Sequence, residues 1–360
     1  MGAFRQARIV AVTELHRDLV SANVEVDGRT VPAAGFPHML GSVAGGDRVV
    51  VNMTGIDLGL GTGGVAFILW NLDGPGLTEV REGHIIKLRY TPWQTEVLAT
   101  EGPESPHYET LEDVTSIGGM PVVVAGLHSQ VAAIAAGLKE AAPSARVGYL
   151  MTDGGALPLA WSKLVRAMKG SGLVEVTCTS GHAFGGDLES VNLFSGLAAL
   201  RVAGEADAVV VAPGPGSVGT GSALGFTAME QGQALDAAGA LAGRPVAALR
   251  ISFADERRRH QGLSHHSATA LTIGTRAPCE VALPLLPAGD RKGVLDALTA
   301  SGIPERHALV EADGGPGLDV LGRSGVALTS MGRSVTDTRE LFLAGAAAGR
   351  VAAGHLAGVV

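Results

Sequence analysis

The feature that most constrains the fold is a regular alternation of apolar runs and helical segments that begins after Ser116. Continuous apolar strands that alternate with helices are typical of a parallel sheet covered on both faces. We therefore predict an α/β fold: a three-layer, Rossmann-like domain with a mainly parallel sheet. The predicted strands span residues 121–125, 146–151, 173–179, 208–212 and 245–251, and the helices span 131–142, 157–169, 188–202 and 224–241. Two more strands are predicted at 281–283 and 308–311, and a last helix at 341–356.

Upstream of this domain the apolar residues repeat with a period of two, from Arg8 to about Tyr90, as in half-buried strands. Asp27-Gly28 is a hairpin signal between two of these strands. We predict a small β-rich, antiparallel unit that forms a barrel or a curled sheet. Its strands are expected at 8–13, 21–26, 48–53, 65–69 and 84–88.

A segment at residues 100–106 contains two prolines and separates the two patterns. Proline punctuates regular structure, so we interpret this segment as a linker. The predicted division is a β-rich domain over residues 1–115 and an α/β domain over residues 116–360.

Charge and cysteine content exclude several classes of protein. The net charge is −8, and the only dense basic run is the three arginines at 257–259, so we expect no nucleic-acid partner. Two cysteines provide neither a disulfide framework nor a four-cysteine zinc site. The first twenty residues carry charges throughout and lack the apolar core of a signal peptide, so we expect a cytoplasmic protein.

The last twenty residues are apolar but contain Arg350 and His355. We interpret them as a buried helix rich in alanine and glycine, with a membrane anchor as the less favoured alternative. We accordingly expect no association with a membrane, and leave homo-oligomerisation open.

Glycine and polar residues follow each predicted strand at the same end. In an open parallel sheet, the loops after the strands face a common crevice, where such sheets bind ligands. The connections at the opposite edge are plain, so we predict the functional site at the carboxyl edge. The loops concerned are residues 126–130, 152–155, 180–189, 213–222 and 252–267.

The loop at 213–222 is rich in glycine, carries hydroxyl groups and precedes a predicted helix. Backbone N–H groups and a helix N-terminus together suit an anion such as phosphate or carboxylate. The loop matches neither the Walker pattern nor a clean G-x-G-x-x-G, and a tight turn that needs glycine for its geometry is the alternative. The predicted anion-binding residues are Gly216, Ser217, Gly219, Thr220 and Gly221.

Histidine and carboxylate residues in the other loops point to metal or proton-transfer chemistry. Imidazole and carboxylate groups hold divalent ions such as zinc or manganese, so we predict a divalent metal ion at His182, Asp187 and His265. His266 would bind the metal or move protons with them, and Asp153 and Asp255 would orient imidazoles or act as bases. The alternative is that the aspartates cap helices and the histidines donate to the backbone.

Ser129 follows the first strand of the α/β domain and is preceded by His128. This arrangement is similar to the nucleophile elbow of serine hydrolases, although the trailing glycine is missing. We keep a serine hydrolase as an alternative, favour a helix cap for Ser129, and place both residues among the substrate-binding set. Cys178 near His182 is a second candidate nucleophile, for which an inert core thiol is the favoured interpretation.

Several motifs taken together resemble one bacterial family. They include Gly46–Val49, the glycine-rich run 58–64, Lys87–Pro92, Gly216–Gly221, and Ile251–Asp255 with Ser264–Ser267. The chain is similar over nearly its whole length to the family known as domain of unknown function 3866. The resemblance implies a bacterial cytoplasmic protein and carries over no catalytic residue.

The sequence therefore leads to one preferred function and two rivals. The preferred function is a metal-assisted or acid–base hydrolase or transferase that acts on a small anionic metabolite. The rivals are a protein that binds or senses such a metabolite without turnover, and the serine hydrolase based on Ser129.

Overall fold

A computed structural model describes residues 3–59, 64–77 and 83–356. The chain divides into two compact units, of which the first comprises Met1–Glu82 with Leu88–Glu96, and the second Gly83–Lys87 with Val97–Val360. The division thus comes earlier than residue 115. Residues 100–106 belong to the α/β unit because Thr100 is buried and its N–H donates to the carbonyl of Glu189 at 2.7 Å.

The first unit is a closed five-stranded barrel, in the order β1-β2-β3-β5-β4. Asp27 and Gly28 both have positive φ (50° and 72°), as the tight turn between β2 and β3 requires. The β3–β5 pair is parallel, so the unit is not antiparallel throughout. Strand β3 was not predicted. The elements are β1 (Phe4–Leu15), β2 (Val20–Val26), β3 (Arg29–Gly35), α1 (Pro37–Leu40), β4 (Arg48–Asn52), α2 (Thr54–Asp57) and β5 (Ala66–Asn71).

The second unit is built on an eight-stranded sheet in which every neighbouring pair is parallel. The strand order is β11-β10-β9-β12-β8-β13-β16-β17. The sheet strands are β8 (Pro121–Val124), β9 (Val147–Thr152), β10 (Val176–Thr179), β11 (Leu188–Glu189), β12 (Ala208–Pro213), β13 (Arg244–Ala248), β16 (Glu280–Pro284) and β17 (Ala308–Ala312). Three short elements precede the sheet: β6 (Ile85–Lys87), β7 (Thr95–Val97) and α3 (Tyr108–Leu111).

Helices cover both faces of the sheet and confirm the predicted three-layer α/β fold. Helices α4, α5, α10 and α11 pack on one face, and α6, α7 and α9 pack on the other. The helices are α4 (Val131–Ala141), α5 (Lys163–Gly170), α6 (Leu193–Val202), α7 (Glu230–Ala240), α8 (His265–Thr269), α9 (Ala288–Ala300), α10 (Gly315–Arg323) and α11 (Arg339–Gly354).

The abundance of glycine is explained where α4 crosses α11. A Cβ atom at Gly137 would collide with the backbone carbonyl of Ala346, and one at Gly349 would collide with that of Ile134. Only glycine at both positions lets the two backbones come this close. Helix α11 is therefore a buried helix, and no helix in the described part of the chain is long and apolar enough to cross a membrane.

Two loops at the carboxyl edge begin differently from what the sequence predicts. The helix expected at 188–202 starts at Leu193, because residues 188–189 pair as an edge strand with β10. The run 245–251 is interrupted after Ala248, and Ile251–Ser252 (β14) pairs antiparallel with Gly262–Leu263 (β15). The second difference shapes the candidate site, since the β14–β15 hairpin carries residues 253–261.

The position of the site follows from the strand order. Strands β9, β12, β8 and β13 are neighbours, and the chain leaves β8 and β9 toward one side of the sheet but β12 and β13 toward the other. Such a switch in direction opens a crevice outside the carboxyl ends of the strands. The loops after β12 and β13 are the two glycine- and histidine-rich segments.

Candidate functional site

The loop after β13 brings three histidines together. His265 and His266 open α8, and His260 ends the 3₁₀ turn Arg258–His260. One potential ligand atom of each ring lies within 4.8 Å of the others. Among the residues that the structure describes, this is the only group of histidine, cysteine and carboxylate side chains close enough to hold a metal ion. We call it the histidine centre.

Hydrogen bonds fix two of the three rings. Nδ1 of His260 lies 2.7 Å from Oγ of Ser264, which also caps α8 by accepting the N–H of His266. Nδ1 of His266 lies 3.3 Å from a guanidinium nitrogen of Arg250. Arginine only donates, so this contact places the proton of neutral His266 on Nε2. Nε2 of His265 is buried and has no hydrogen-bond partner, and it is therefore free to accept a ligand.

The glycine-rich loop after β12 lies against the histidine centre. Phe226 stacks on His266 with ring centroids 3.9 Å apart and an interplanar angle of 6°, and it meets His265 edge-on at 5.4 Å. Gly219, which pairs with Phe226, lies so close that a Cβ there would be 3.6 Å from Nε2 of His266. The two loops that the sequence singled out thus converge.

The glycine-rich loop folds as a hairpin and not as a cradle at a helix N-terminus. The N–H of Thr220 donates to Gly225 at 2.8 Å, and that of Thr227 to Val218 at 2.9 Å. Helix α7 begins only at Glu230. The predicted mode of anion binding, in which the loop leads straight into a helix, is therefore corrected. Residues 216–222 form an exposed rim beside the histidines.

Three arginines surround one buried carboxylate next to the histidine centre. Arg257 forms two bonds to Asp255, at 2.9 and 2.8 Å, and Arg250 and Arg333 approach the same carboxylate at 3.4 and 3.6 Å. The bonds from Arg257 hold the pKa of Asp255 well below its usual range. Asp255 therefore anchors arginines and does not act as the base or imidazole partner that was predicted.

Burial and positive charge keep the histidines neutral. Burial first, and Arg250 next, lower the pKa of both His260 and His266 to about 3. Burial lowers the pKa of His265 as well, with Arg259 and Arg250 adding to the effect. A neutral imidazole is the form that ligates metals and accepts protons, so protonation does not block any of the three rings at neutral pH, although Nδ1 of His266 accepts a hydrogen bond from Arg250.

The predicted metal set His182, Asp187 and His265 is not assembled. Asp187 is bound by Lys169, and it accepts the N–H and the hydroxyl of Thr177 at 2.8 Å each. Its carboxylate is used to hold the loop after β10. The histidine centre contains His265 but neither of the other two.

Asp153 and His182 are connected by a hydrogen bond between the side chain of Asp153 and the backbone of His182. The carboxylate of Asp153 accepts the N–H of His182 at 3.0 Å, and it lies against Gly181, whose φ is +65°. These contacts shape the crevice beside β9.

His128 is a buried structural residue. Its Nδ1 lies 3.0 Å from the hydroxyl of Tyr149 and 3.2 Å from the carbonyl of Pro213, and its Nε2 lies 2.7 Å from Oγ of Ser162. Burial lowers the pKa of His128 to about 4. Because both ring nitrogens are used and the ring is buried, His128 positions the end of β12 and does not face a ligand.

Neither candidate nucleophile has the surroundings that its reaction needs. Oγ of Ser129 donates to Oγ of Ser330 at 3.2 Å, and within the described part of the chain it has no hydrogen bond to an imidazole, so the pairing that the serine-hydrolase alternative requires is not seen there. Cys178 is fully buried, and burial raises its pKa to about 12, which is the inert thiol that the sequence favoured.

Sequence reasoning missed Arg250 and Glu230 as residues of this edge, and it did not include His260 among the metal ligands. Glu230 accepts the hydroxyl of Thr152 at 2.6 Å, and burial raises its pKa to about 7, with Asp153 adding repulsion. His260 lies in a loop that the sequence pattern did single out. The sequence around Arg250 and Glu230 does not mark them as site residues, because their positions depend on where β13 ends and α7 begins.

The fold and the site define a two-unit protein, a small barrel and a three-layer α/β unit, with a histidine centre at the carboxyl edge of a parallel sheet. The chain belongs to the family described as "Protein of unknown function (DUF3866)", whose sequence profile matches residues 32–349. The resemblance drawn from the motifs is thus confirmed. No curated protein matches the sequence.

Proposed function

We propose that this protein is an enzyme that hydrolyses or transfers a group of a small anionic metabolite, with a divalent metal ion held by His260, His265 and His266. The observation that carries the proposal is the convergence of three neutral imidazoles within 4.8 Å, one of them with a buried, unpartnered Nε2. Three protein ligands with an open fourth position are the pattern of catalytic zinc.

The chemistry follows from this ligand set. A metal ion held by these histidines would supply an activated water as nucleophile, so the chemistry would need neither a serine nor a cysteine. His260 has the second-shell partner that a ligating imidazole needs, since Ser264 holds its Nδ1 and leaves Nε2 for the metal. His266 would join the metal through Nδ1 once Arg250 releases that nitrogen.

The surroundings of the centre favour an anionic substrate. Arg259 lies over the tip of the glycine hairpin, where a Cβ at Gly221 would be 3.6 Å from its guanidinium carbon. Guanidinium groups bind carboxylate and phosphate in forked geometry. The exposed rim that would contact the substrate comprises Gly216, Ser217, Gly219, Thr220 and Gly221.

Zinc titration of the metal-free protein, followed by calorimetry, tests the proposal. We expect one zinc ion per chain, and a loss of affinity of about 100-fold or more in His265→Ala, because even second-shell changes cost 10–100-fold. The matched control is His182→Ala, which removes a histidine outside the centre and should bind zinc as the wild type does. Equal affinity in the wild type and His265→Ala would refute the metal site.

A binding or sensing protein without turnover is the second candidate. The observation in its favour is that Ser129 has no imidazole partner among the residues that the structure describes, and that both cysteines are buried. A thermal-shift screen with small phosphates and carboxylates distinguishes the two, since stabilisation with no product formed supports sensing. The cytoplasmic location, the bacterial origin and the absence of nucleic-acid partners stay predictions from the sequence.

A further inference from the structure

The charges around the histidine centre are of the wrong sign for a metal ion alone. Most ligating histidines donate their second nitrogen to a carboxylate or carbonyl, which supports the positive ion. Here His266 faces the guanidinium of Arg250 instead.

The arginines are not neutralised by the carboxylates around them. Three guanidinium groups, those of Arg250, Arg257 and Arg333, share the single charge of Asp255, which leaves two positive charges in surplus. Glu256, next in sequence to Asp255, is exposed, and Glu340 accepts the backbone N–H of Phe253. Among the described residues, neither acid forms an ion pair with these three arginines.

Two further groups point to a missing anion. Nε of Arg333 is buried without a hydrogen-bond partner. The exposed Arg259 has no ion-pair partner among the described residues, and it lies beside the glycine hairpin at the mouth of the site. A buried donor with no acceptor is costly, and it is satisfied by a ligand that brings oxygen atoms.

We propose that the histidine centre binds its metal ion together with a dianionic oxyanion, and that the substrate therefore carries a phosphate-type group. This inference rests on the proposed metal centre. The dianion would offset two of the surplus positive charges of the four arginines, and the metal ion would enter a less positive site. Binding of either ligand then strengthens binding of the other, as linkage requires.

The test uses zinc and inorganic sulfate, a tetrahedral dianion that stays in solution with zinc. Zinc is titrated into the metal-free full chain at neutral pH in sodium sulfate, and again in sodium chloride of equal ionic strength. We expect zinc to bind about 10-fold more tightly or better in sulfate, within the usual range of coupling between sites.

Arg259→Gln tests the part of the coupling that comes from the arginine beside the glycine hairpin, since this exposed side chain can be changed without disturbing the core. We expect the sulfate effect on zinc affinity to fall below about 3-fold in this variant. That residual effect is smaller than the roughly 5-fold change at the lower end of typical coupling between sites. The control is Arg323→Gln, which removes the same charge from an exposed position on α10 and should keep the full effect.

The outcomes separate this inference from the metal centre itself. Zinc binding of equal strength in sulfate and chloride would overturn the coupling and leave the metal centre standing. Zinc binding in neither salt would overturn both. A sulfate effect that persists undiminished in Arg259→Gln would overturn the placement of the anion beside Arg259.

Discussion

Changing His128 to glutamine should alter how the stability of the α/β unit depends on pH. In the unfolded chain this histidine titrates near 6.5, and in the native protein burial lowers its pKa to about 4. Below pH 6.5 the imidazole of His128 binds a proton in the unfolded chain but stays neutral in the native protein. The stability that His128 provides is therefore complete above pH 6.5 and is lost as the pH falls toward 4.

The two pKa values set the size of the effect. Between pH 7 and pH 5 the free energy of unfolding falls by about 2 kcal/mol on account of His128 alone. In His128→Gln this part of the loss disappears. The variant should also be less stable at pH 7, by about 1–3 kcal/mol, because the 2.7 Å bond to Ser162 and the contact with Tyr149 are weakened.

Urea unfolding followed by tryptophan fluorescence measures this change in stability of the α/β unit. The protein has three tryptophans, and only Trp161 lies in the α/β unit, so Trp70→Phe and Trp93→Phe leave a single reporter beside Ser162. His107→Gln is the control, since it makes the same change at a half-exposed position. If His128→Gln loses as much stability between pH 7 and pH 5 as its parent, His128 protonates normally in the native state and the reasoning is wrong.

Three further predictions concern packing and charge, and the same fluorescence assay measures the first two. Gly137→Ala should destabilise the α/β unit by about 2–3 kcal/mol, since the new methyl group meets the backbone of α11; Gly170→Ala, where nothing lies within 4 Å, should be neutral or slightly stabilising. Lys87→Met should lower the free energy of unfolding by about 3–5 kcal/mol, because it leaves the carboxylate of Glu189 without its ion-pair partner. Adding Glu189→Gln to the same chain should restore part of this stability. Gly221→Ala should strain the hairpin by about 1 kcal/mol, because φ is +83°, and calorimetry should show weaker sulfate binding with unchanged zinc binding in chloride.

The sheet could be predicted from the sequence because its strands are continuous apolar runs. Strands at 121–124, 147–152 and 208–213 match the prediction within one or two residues. Strand β3 was missed because it contains Pro32 and two alanines, which have low strand propensity. Helix starts were placed too early where polar loops run on into the helix, as at Leu193 and Glu230.

The sequence predicted the sheet edge at which the histidine centre lies and two of its members, His265 and His266, but not His260. The rule that parallel strands gather their following loops at one edge was enough to single out the loops at 213–222 and 252–267. Which side chains meet depends on how each loop folds. The carboxylate of Asp187 is hydrogen-bonded to Lys169 and Thr177 and is not part of the histidine centre. The 3₁₀ turn before α8, in contrast, places His260 close to His265. No spacing rule covers either loop, because each fold depends on contacts distant in sequence.

X-ray absorption at the zinc edge tests the central claim most directly, because it reports the ligands of the bound ion. With one equivalent of zinc and sulfate present, we predict nitrogen scatterers at about 2.0–2.1 Å with the outer-shell pattern of imidazole, from three histidines. In His260→Ala the imidazole count should fall by one. A first shell of oxygen alone, or an imidazole count unchanged in His260→Ala, would contradict a metal centre built from His260, His265 and His266.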